Sequence, residues 1–252
     1  MENFPDRIGF TFFLGALYFL SYFRHDWKYL GVSVILFLHL IFGKFKWFGR
    51  YEIYCQCFFL LSLIQIHKVL LTNFFRKKKT PFVFLVISPI VAVLFFPYFC
   101  WLVAIPVASN NIYDQQYQMH RFILENYKKP VAGNDIGWIS YMNSNYVLDL
   151  CGLSSEKALK GRCFDSSNKW MEELTRENNV ELAMIYEDWF DKIPHKWKKI
   201  AKLYLSRPVG LIEEPVSFYS INPGNQEALV KQLLEFRNTL PEKVRLEILK
   251  ES

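Results

Sequence analysis

The chain has 252 residues, 52% of them hydrophobic and 18% aromatic, and a formal net charge of +6. Residues 1–107 hold eleven Lys/Arg against four Asp/Glu and residues 108–252 nineteen against twenty, so the whole excess of charge lies between the apolar runs of the first part. Charge placed there orients helices in a bilayer rather than gripping phosphates, which excludes nucleic acid as the expected partner.

Four apolar runs come first: Ile8 to Phe23, Tyr29 to Phe42, Tyr51 to Leu71 and Phe82 to Ala108. A bilayer span needs about 17–25 residues, so the last two are long enough, and the first two either span with snorkelling flanks or lie re-entrant at the interface. Trp27 and Trp47 stand where interfacial anchors belong. The acidic start MENFPD argues against a cleaved signal peptide. The basic loop Arg76 to Lys79 between the third and fourth runs predicts a cytoplasmic side there, an exoplasmic C-terminal half and, by alternation, an exoplasmic N-terminus. The Lys44, Lys46 and Arg50 loop opposes that orientation. His39, Gln56, Gln65 and His67 are the polar groups within these runs, and helix-to-helix hydrogen bonding is their expected role. Cys55 and Cys57, two residues apart, point to different helix faces and do not form a metal pair.

The composition turns mixed near Asn111, giving expected domains at 1–108 (helical, transmembrane) and 109–252 (exoplasmic α/β). Ile112 to Tyr127 has the period of an amphipathic helix that stops before Pro130. Pro130 to Gly133 and Tyr146 to Leu150 read as strands on either side of a short helix within Ile136 to Met142, capped by Asn134 or Asp135. Lys169 to Glu177 reads as a helix, Val180 to Tyr186 as a buried strand, and Trp197 to Leu203 as a short helix or strand. Val209 to Ile212 and Val216 to Ile221 follow as strands, and Gln226 to Asn238 as an amphipathic helix; the charged tail after Pro241 is expected to be mobile or weakly helical. The order predicts about four membrane spans followed by a small α/β domain with a mixed sheet, whose ligands would lie at the carboxyl ends of strands.

Chemistry-bearing residues gather in one stretch, NDIGWISYMNSNYVLDLCGLSS, Asn134 to Ser155. Asp135 and Asp149 are its candidate carboxylate pair; the alternative is that Asp135 caps a helix and Asp149 binds the amides of the Gly152 turn. Trp138 and Tyr141 could stack on a sugar ring or serve as core contacts. Cys151 and Cys163, twelve residues apart, form a disulfide if the intervening segment folds back, and are otherwise thiols. Glu187, Asp188, Asp191 and His195 are metal-capable residue types without metal-motif spacing, so no metal site is assigned and no cofactor is evident.

The stretch resembles a segment of the exoplasmic C-terminal domains of bacterial C-fold glycosyltransferases, which use polyprenyl-phosphate sugars. In that pattern a strand ends in an Asp-x-Gly turn, a short helix ends in Ser-Tyr, and a strand leads into Asp-Leu-x-Gly-Leu; here these are Asp135, Gly137, Ser140, Tyr141, Asp149, Leu150, Gly152 and Leu153. The resemblance spans Phe82 to Ala158. It implies a bacterial inner-membrane protein corresponding to the C-terminal portion of such an enzyme, with its last domain periplasmic or extracellular. The implied partners are the lipid bilayer and a polyprenyl-phosphate sugar or envelope glycan. A divalent metal is implied by resemblance only.

In such enzymes an acidic first exoplasmic loop acts as general base. Here Asp26 falls on the cytoplasmic side of the expected topology and Glu52 stands alone at a helix start. The expectation is therefore a glycosyltransferase-like protein of envelope glycan or lipid glycosylation that lacks the catalytic loop, its enzymatic status open. The alternative is a non-catalytic, membrane-anchored module that holds a glycan or an envelope protein.

Overall fold

A computed structural model describes residues 27–42, 53–66, 68–69, 72–73, 80–165, 167–205 and 214–249. The chain divides into two compact units, Met1–Ala104 and Ile105–Ser252.

In the first unit, α1 (Trp27–Phe42) and α2 (Ile53–Ile66) are apolar helices. On α1, Val32, Ser33, Leu36 and His39 are buried, the spacing of one helical face. His39 meets Tyr54 of α2 edge to face at 5.1 Å, and the Tyr54 hydroxyl hydrogen-bonds His39 Nδ1. A third helix, α3, runs from Thr80 to Asp114.

The expected four-span membrane part is overturned. Among the described residues, no helix is long and apolar enough to cross a membrane. Helices α1 and α2 have 16 and 14 residues, short of the roughly 20 that a span requires. The run Phe82 to Ala108 is not a separate span that ends at the domain border: it belongs to one 35-residue helix that continues through Asn110, Asn111 and Asp114. Ile8 to Phe23 lies outside the described residues, as does the strand expected at Val209 to Ile212.

The expected α/β unit with a mixed sheet is present. After α3 the chain makes α4 (Gln116–Arg121) and a π-helical turn, Phe122–Tyr127, which ends at Lys128 in the left-handed region (φ 54°). It then forms β1 (Val131–Gly133), α5 (Gly137–Ser140), β2 (Val147–Asp149), α6 (Glu156–Phe164), α7 (Lys169–Glu177) and β3 (Leu182–Ile185). The remainder is β4 (Lys198–Tyr204), β5 (Val216–Ser220), α8 (Gln226–Arg237) and β6 (Arg245–Ile248). The six strands lie in the order β2-β1-β3-β5-β4-β6. Strand β1 pairs in parallel with β2 and β3, and the remaining pairings are antiparallel.

Strand β3, LAMI, shows why the sheet is covered on both faces: all four residues are buried, and successive side chains point to opposite sides. Leu182 and Met184 join Phe122, Ile123, Phe218, Leu233 and Phe236 under the π-helical turn and α8. Ala183 and Ile185 join Leu148, Trp170, Met171 and Leu174 under α6 and α7. The result is a helix-sheet-helix sandwich.

Two local expectations change. The tail after Pro241 is not a mobile or helical extension. Residues Arg245–Ile248 form the edge strand β6, paired with β4 from Ala201↔Ile248 to Tyr204↔Arg245, with Leu246 in the core. The short helix α5 begins after Ile136, and neither Asn134 nor Asp135 caps it.

Candidate functional site

Strand order reverses at β1: β2 lies on one side of it and β3 on the other. In open α/β sheets such a reversal leaves a crevice at the carboxyl ends of the two flanking strands, the usual place for a ligand. Here those ends carry Asn134 and Asp135 after β1, and Tyr186 and Glu187 after β3.

A side chain fills that crevice. Asn134, 1% exposed, donates through Nδ2 to the Tyr186 carbonyl at 3.0 Å, and its Oδ1 accepts the Tyr186 amide at 3.1 Å. The Tyr186 ring turns back into the domain, where its hydroxyl donates to Gln115 Oε1 at 2.8 Å and accepts from Gln116 Nε2 at 2.9 Å. Gln115 Nε2 in turn donates to the carbonyls of Leu203 and Glu214, both at 3.1 Å. Burial, and secondarily the negative charge of Asp135, push the Tyr186 hydroxyl far above the ordinary tyrosine range, so it stays a neutral donor.

The carboxylate pair is not assembled. Asp149, 1% exposed, spends both oxygens on its own loop. Its Oδ1 accepts from the amides of Cys151 (2.8 Å) and Gly152 (3.1 Å), and its Oδ2 from the Ser154 amide (2.6 Å) and hydroxyl (3.3 Å). Gly152 sits at φ +90° with the Leu159 backbone 2.7 Å from where a Cβ would stand, so the turn demands glycine. Asp135 is half-buried and accepts from Gln116 Nε2 at 3.5 Å.

Trp138 and Tyr141, on and just after α5, are brought together, their rings 5.7 Å apart and edge to face. They belong to a larger group. Trp138 also meets Tyr117 edge to face at 5.3 Å and His120 at 5.6 Å, His120 lies 6.2 Å from Tyr141, and Tyr113 stacks on Tyr117 at 5.2 Å. Helix α5 can sit this close to the sheet because Gly133 has no side chain: a Cβ there would lie 2.5 Å from Ile139 Cδ1.

This aromatic platform remains open to solvent. Trp138 is 36% exposed, Tyr113 48% and Tyr141 55%. Nδ1 of His120, whose ring belongs to this group, and Oε1 of Gln116 have no hydrogen-bond partner among the described residues, in residues that are 8% and 9% exposed. Tyr113, Gln116, Tyr117 and His120 are not marked as a site by the sequence.

Cys151 and Cys163 are free thiols, and the bridge left open by their spacing is not formed. Arg162, beside Cys163, reaches Cys151 instead, donating to its carbonyl at 3.2 Å and its Sγ at 3.0 Å. The 186–197 segment does not gather a metal set: among the described residues no group of three or more His, Cys, Asp or Glu is placed to hold a metal. Glu187 pairs with Lys199 at 2.6 Å and accepts the Tyr219 hydroxyl at 2.8 Å.

Residues 110–219 match the model of a domain of unknown function (DUF8728). No curated protein and no solved structure matches the chain. The matched span runs from the Tyr113 end of the platform through β5. Because no described helix qualifies as a membrane span, the terms membrane and transmembrane helix do not stand for the described residues, and the matched domain, which has no assigned function, lends no support to the terms periplasmic, cell-envelope and glycosyltransferase-like.

Proposed function

We propose that the unit Ile105–Ser252 is a non-catalytic binding module for a saccharide, held on the platform of Trp138, Tyr141 and Tyr117. The observation that carries this reading is the cluster of solvent-exposed aromatic rings that α5 and the helix before β1 bring together. Sugar rings offer apolar C–H faces, which pack on aromatic rings, and hydroxyls, which both donate and accept. The tyrosines of the platform add hydroxyls, each able to donate to or accept from a sugar. The arrangement holds no activated nucleophile and no base hydrogen-bonded to one, and the two carboxylates nearest the strand ends are occupied in structural roles. The recognised element is the sugar itself, common to a free glycan and to the head of a polyprenyl-phosphate sugar.

The test is calorimetric titration of the full chain with a panel of gluco-, manno-, galacto- and N-acetylglucosamine oligosaccharides. At least one should bind saturably, and Trp138→Ala and Tyr141→Ala should each weaken it by about tenfold or more, an aromatic contact being worth about 1 kcal/mol beyond its buried area. Binding unchanged in both variants, or no binding across the panel, contradicts the reading.

A further inference from the structure

A second concavity lies away from the platform residues. It has a volume of about 480 Å³ and is walled by the end of α6, the start of α7 and the segment Trp189–Lys192. That volume is within the range of sites that enclose small ligands, about 300–1,000 Å³.

Its walls combine three features. Aromatic surface comes from Trp170, Trp189 and Phe190. The Trp189 ring is backed by Tyr186, stacked at 5.6 Å with 24° between planes, so it is held in place before any ligand arrives. Charge comes as two cations, Arg162 and Lys192, against two carboxylates, Asp165 and Asp191, which leaves the cavity formally neutral.

Arg162 builds the wall and is not free to clamp an anion. Its guanidinium donates to Cys151 O and Sγ and to Trp189 O at 3.2 Å, and lies over the Phe190 ring at 5.8 Å. These bonds tie α6 to the loop carrying Trp189, so the rim is preorganised.

The third feature is Asn168. It occupies the N-cap position of α7, where an Asn side chain ordinarily accepts from the helix amides. Its backbone is instead left-handed (φ 56°), the side chain makes no capping bond, and the residue lines the cavity. Asn tolerates the left-handed region better than most residues, and its carboxamide, not committed to the cap, is available at the cavity wall.

We infer that this cavity is a second binding site, for a single uncharged sugar ring. A ligand suited to it must present an apolar face to Trp189 and Phe190, offer hydroxyl donors to Asp165 and Asp191, and accept from Asn168 and Lys192. A phosphorylated ligand would meet as much negative as positive charge, and a purely aromatic one would leave the carboxylates unpaired on desolvation. A pyranose satisfies all three demands. The inference stands on its own residues and does not depend on the platform.

The experiment is saturation-transfer NMR and calorimetry on the full chain with methyl glycosides of glucose, mannose, galactose and N-acetylglucosamine, with inorganic phosphate and indole as contrasts. The expected result is saturable binding of at least one glycoside, weakened about tenfold or more by Asp191→Asn, an exposed change that leaves the core intact, and by Trp189→Ala. Three results would overturn it: no glycoside binds; indole or phosphate binds and is lost in Asp191→Asn while the glycosides are not affected; or the glycoside response vanishes in Trp138→Ala and survives in Asp191→Asn, placing the sugar on the platform alone. Loss of the platform reading would instead show as oligosaccharide binding indifferent to Trp138 and Tyr141, so the two fail separately.

Discussion

Asn134 is joined to Tyr186 by a two-way bond across the sheet: its Nδ2 donates to the Tyr186 carbonyl at 3.0 Å, and its Oδ1 accepts the Tyr186 amide at 3.1 Å. A side-chain amide thus imitates one more rung of the β1–β3 ladder at the point where the strand order would otherwise leave an open crevice. The carboxyl ends of the strands are closed by this rung, and the exposed chemistry moves outward to α5 and the helix before β1. Asn134→Ala should leave the buried Tyr186 amide without a partner, while the Tyr186 carbonyl keeps the Trp189 amide at 3.3 Å, at a cost of about 1–3 kcal/mol. Urea unfolding should show a lower midpoint at unchanged slope; an unchanged midpoint would mean that water or backbone movement satisfies Tyr186.

Asp149 makes the analogous prediction for the second turn. Its two oxygens receive three backbone amides and one hydroxyl, so Asp149→Ala should destabilise by about 2–4 kcal/mol, and Asp149→Asn, which keeps one acceptor oxygen, by less. Thermal unfolding of the two variants checks the order. Equal stability of wild type and Asp149→Ala would contradict the structural role.

The turn chemistry of this region is legible in the sequence because it is local. The Asp-Leu-x-Gly-Leu spacing predicts an acceptor for the amides of a glycine turn, and Asp149 does that with Gly152 in the left-handed region. The β-α-β-α order and the mixed sheet are legible for the same reason, since β3 lies in a short continuous apolar run and α7 is strongly amphipathic. The platform was only half legible. Trp138 and Tyr141 lie three apart in one stretch, but their partners Tyr117 and His120 come from a helix 21 residues earlier, and only the fold brings them together. The edge strand β6 was read as a charged tail because an edge strand shields itself with charge, as Arg245 and Glu247 do here. The membrane expectation rested on apolar runs with Lys/Arg and Trp at their borders, and run length does not fix where a helix starts and stops: α1 and α2 are shorter than the span length, and α3 continues past the expected border to Asp114.

Glu187 gives a pH-dependent prediction. Burial pushes its carboxyl up, but hydrogen bonds from Lys199 and Tyr219, with the charge of Lys199, outweigh this and hold it below the ordinary glutamate value. A depressed folded-state value contributes stability above the unfolded value and loses it as the pH falls through the folded one. Glu187→Gln should therefore lower the melting temperature at neutral pH and flatten its decline between about pH 5 and pH 3. Identical pH profiles for the two proteins would show that the cluster is not coupled to folding.

Glu214 has the opposite sign. A hydrogen bond with Asp188, then burial and the Asp188 charge, raise its carboxyl above the ordinary value. The folded state holds that proton more tightly than the unfolded one, so stability is lost as the pH rises through the window between the two values. Glu214→Gln should raise the melting temperature at neutral pH and make no difference in acid, below about pH 4. Scanning fluorimetry across that range checks it; a lower melting temperature at neutral pH would contradict the shared-proton arrangement.

The central claim, that an apolar sugar face packs on the Trp138 and Tyr141 rings, is tested most directly by mapping which protons of a bound ligand touch the protein. Saturation-transfer NMR on the full chain, with whichever oligosaccharide of the panel binds most tightly, should show strong transfer to the axial C–H protons of one pyranose face and weak transfer to the rest. In Trp138→Ala that contrast should disappear while the fold persists by circular dichroism. Transfer spread evenly over the ligand, or a face-selective pattern that survives the loss of Trp138, would contradict the claim.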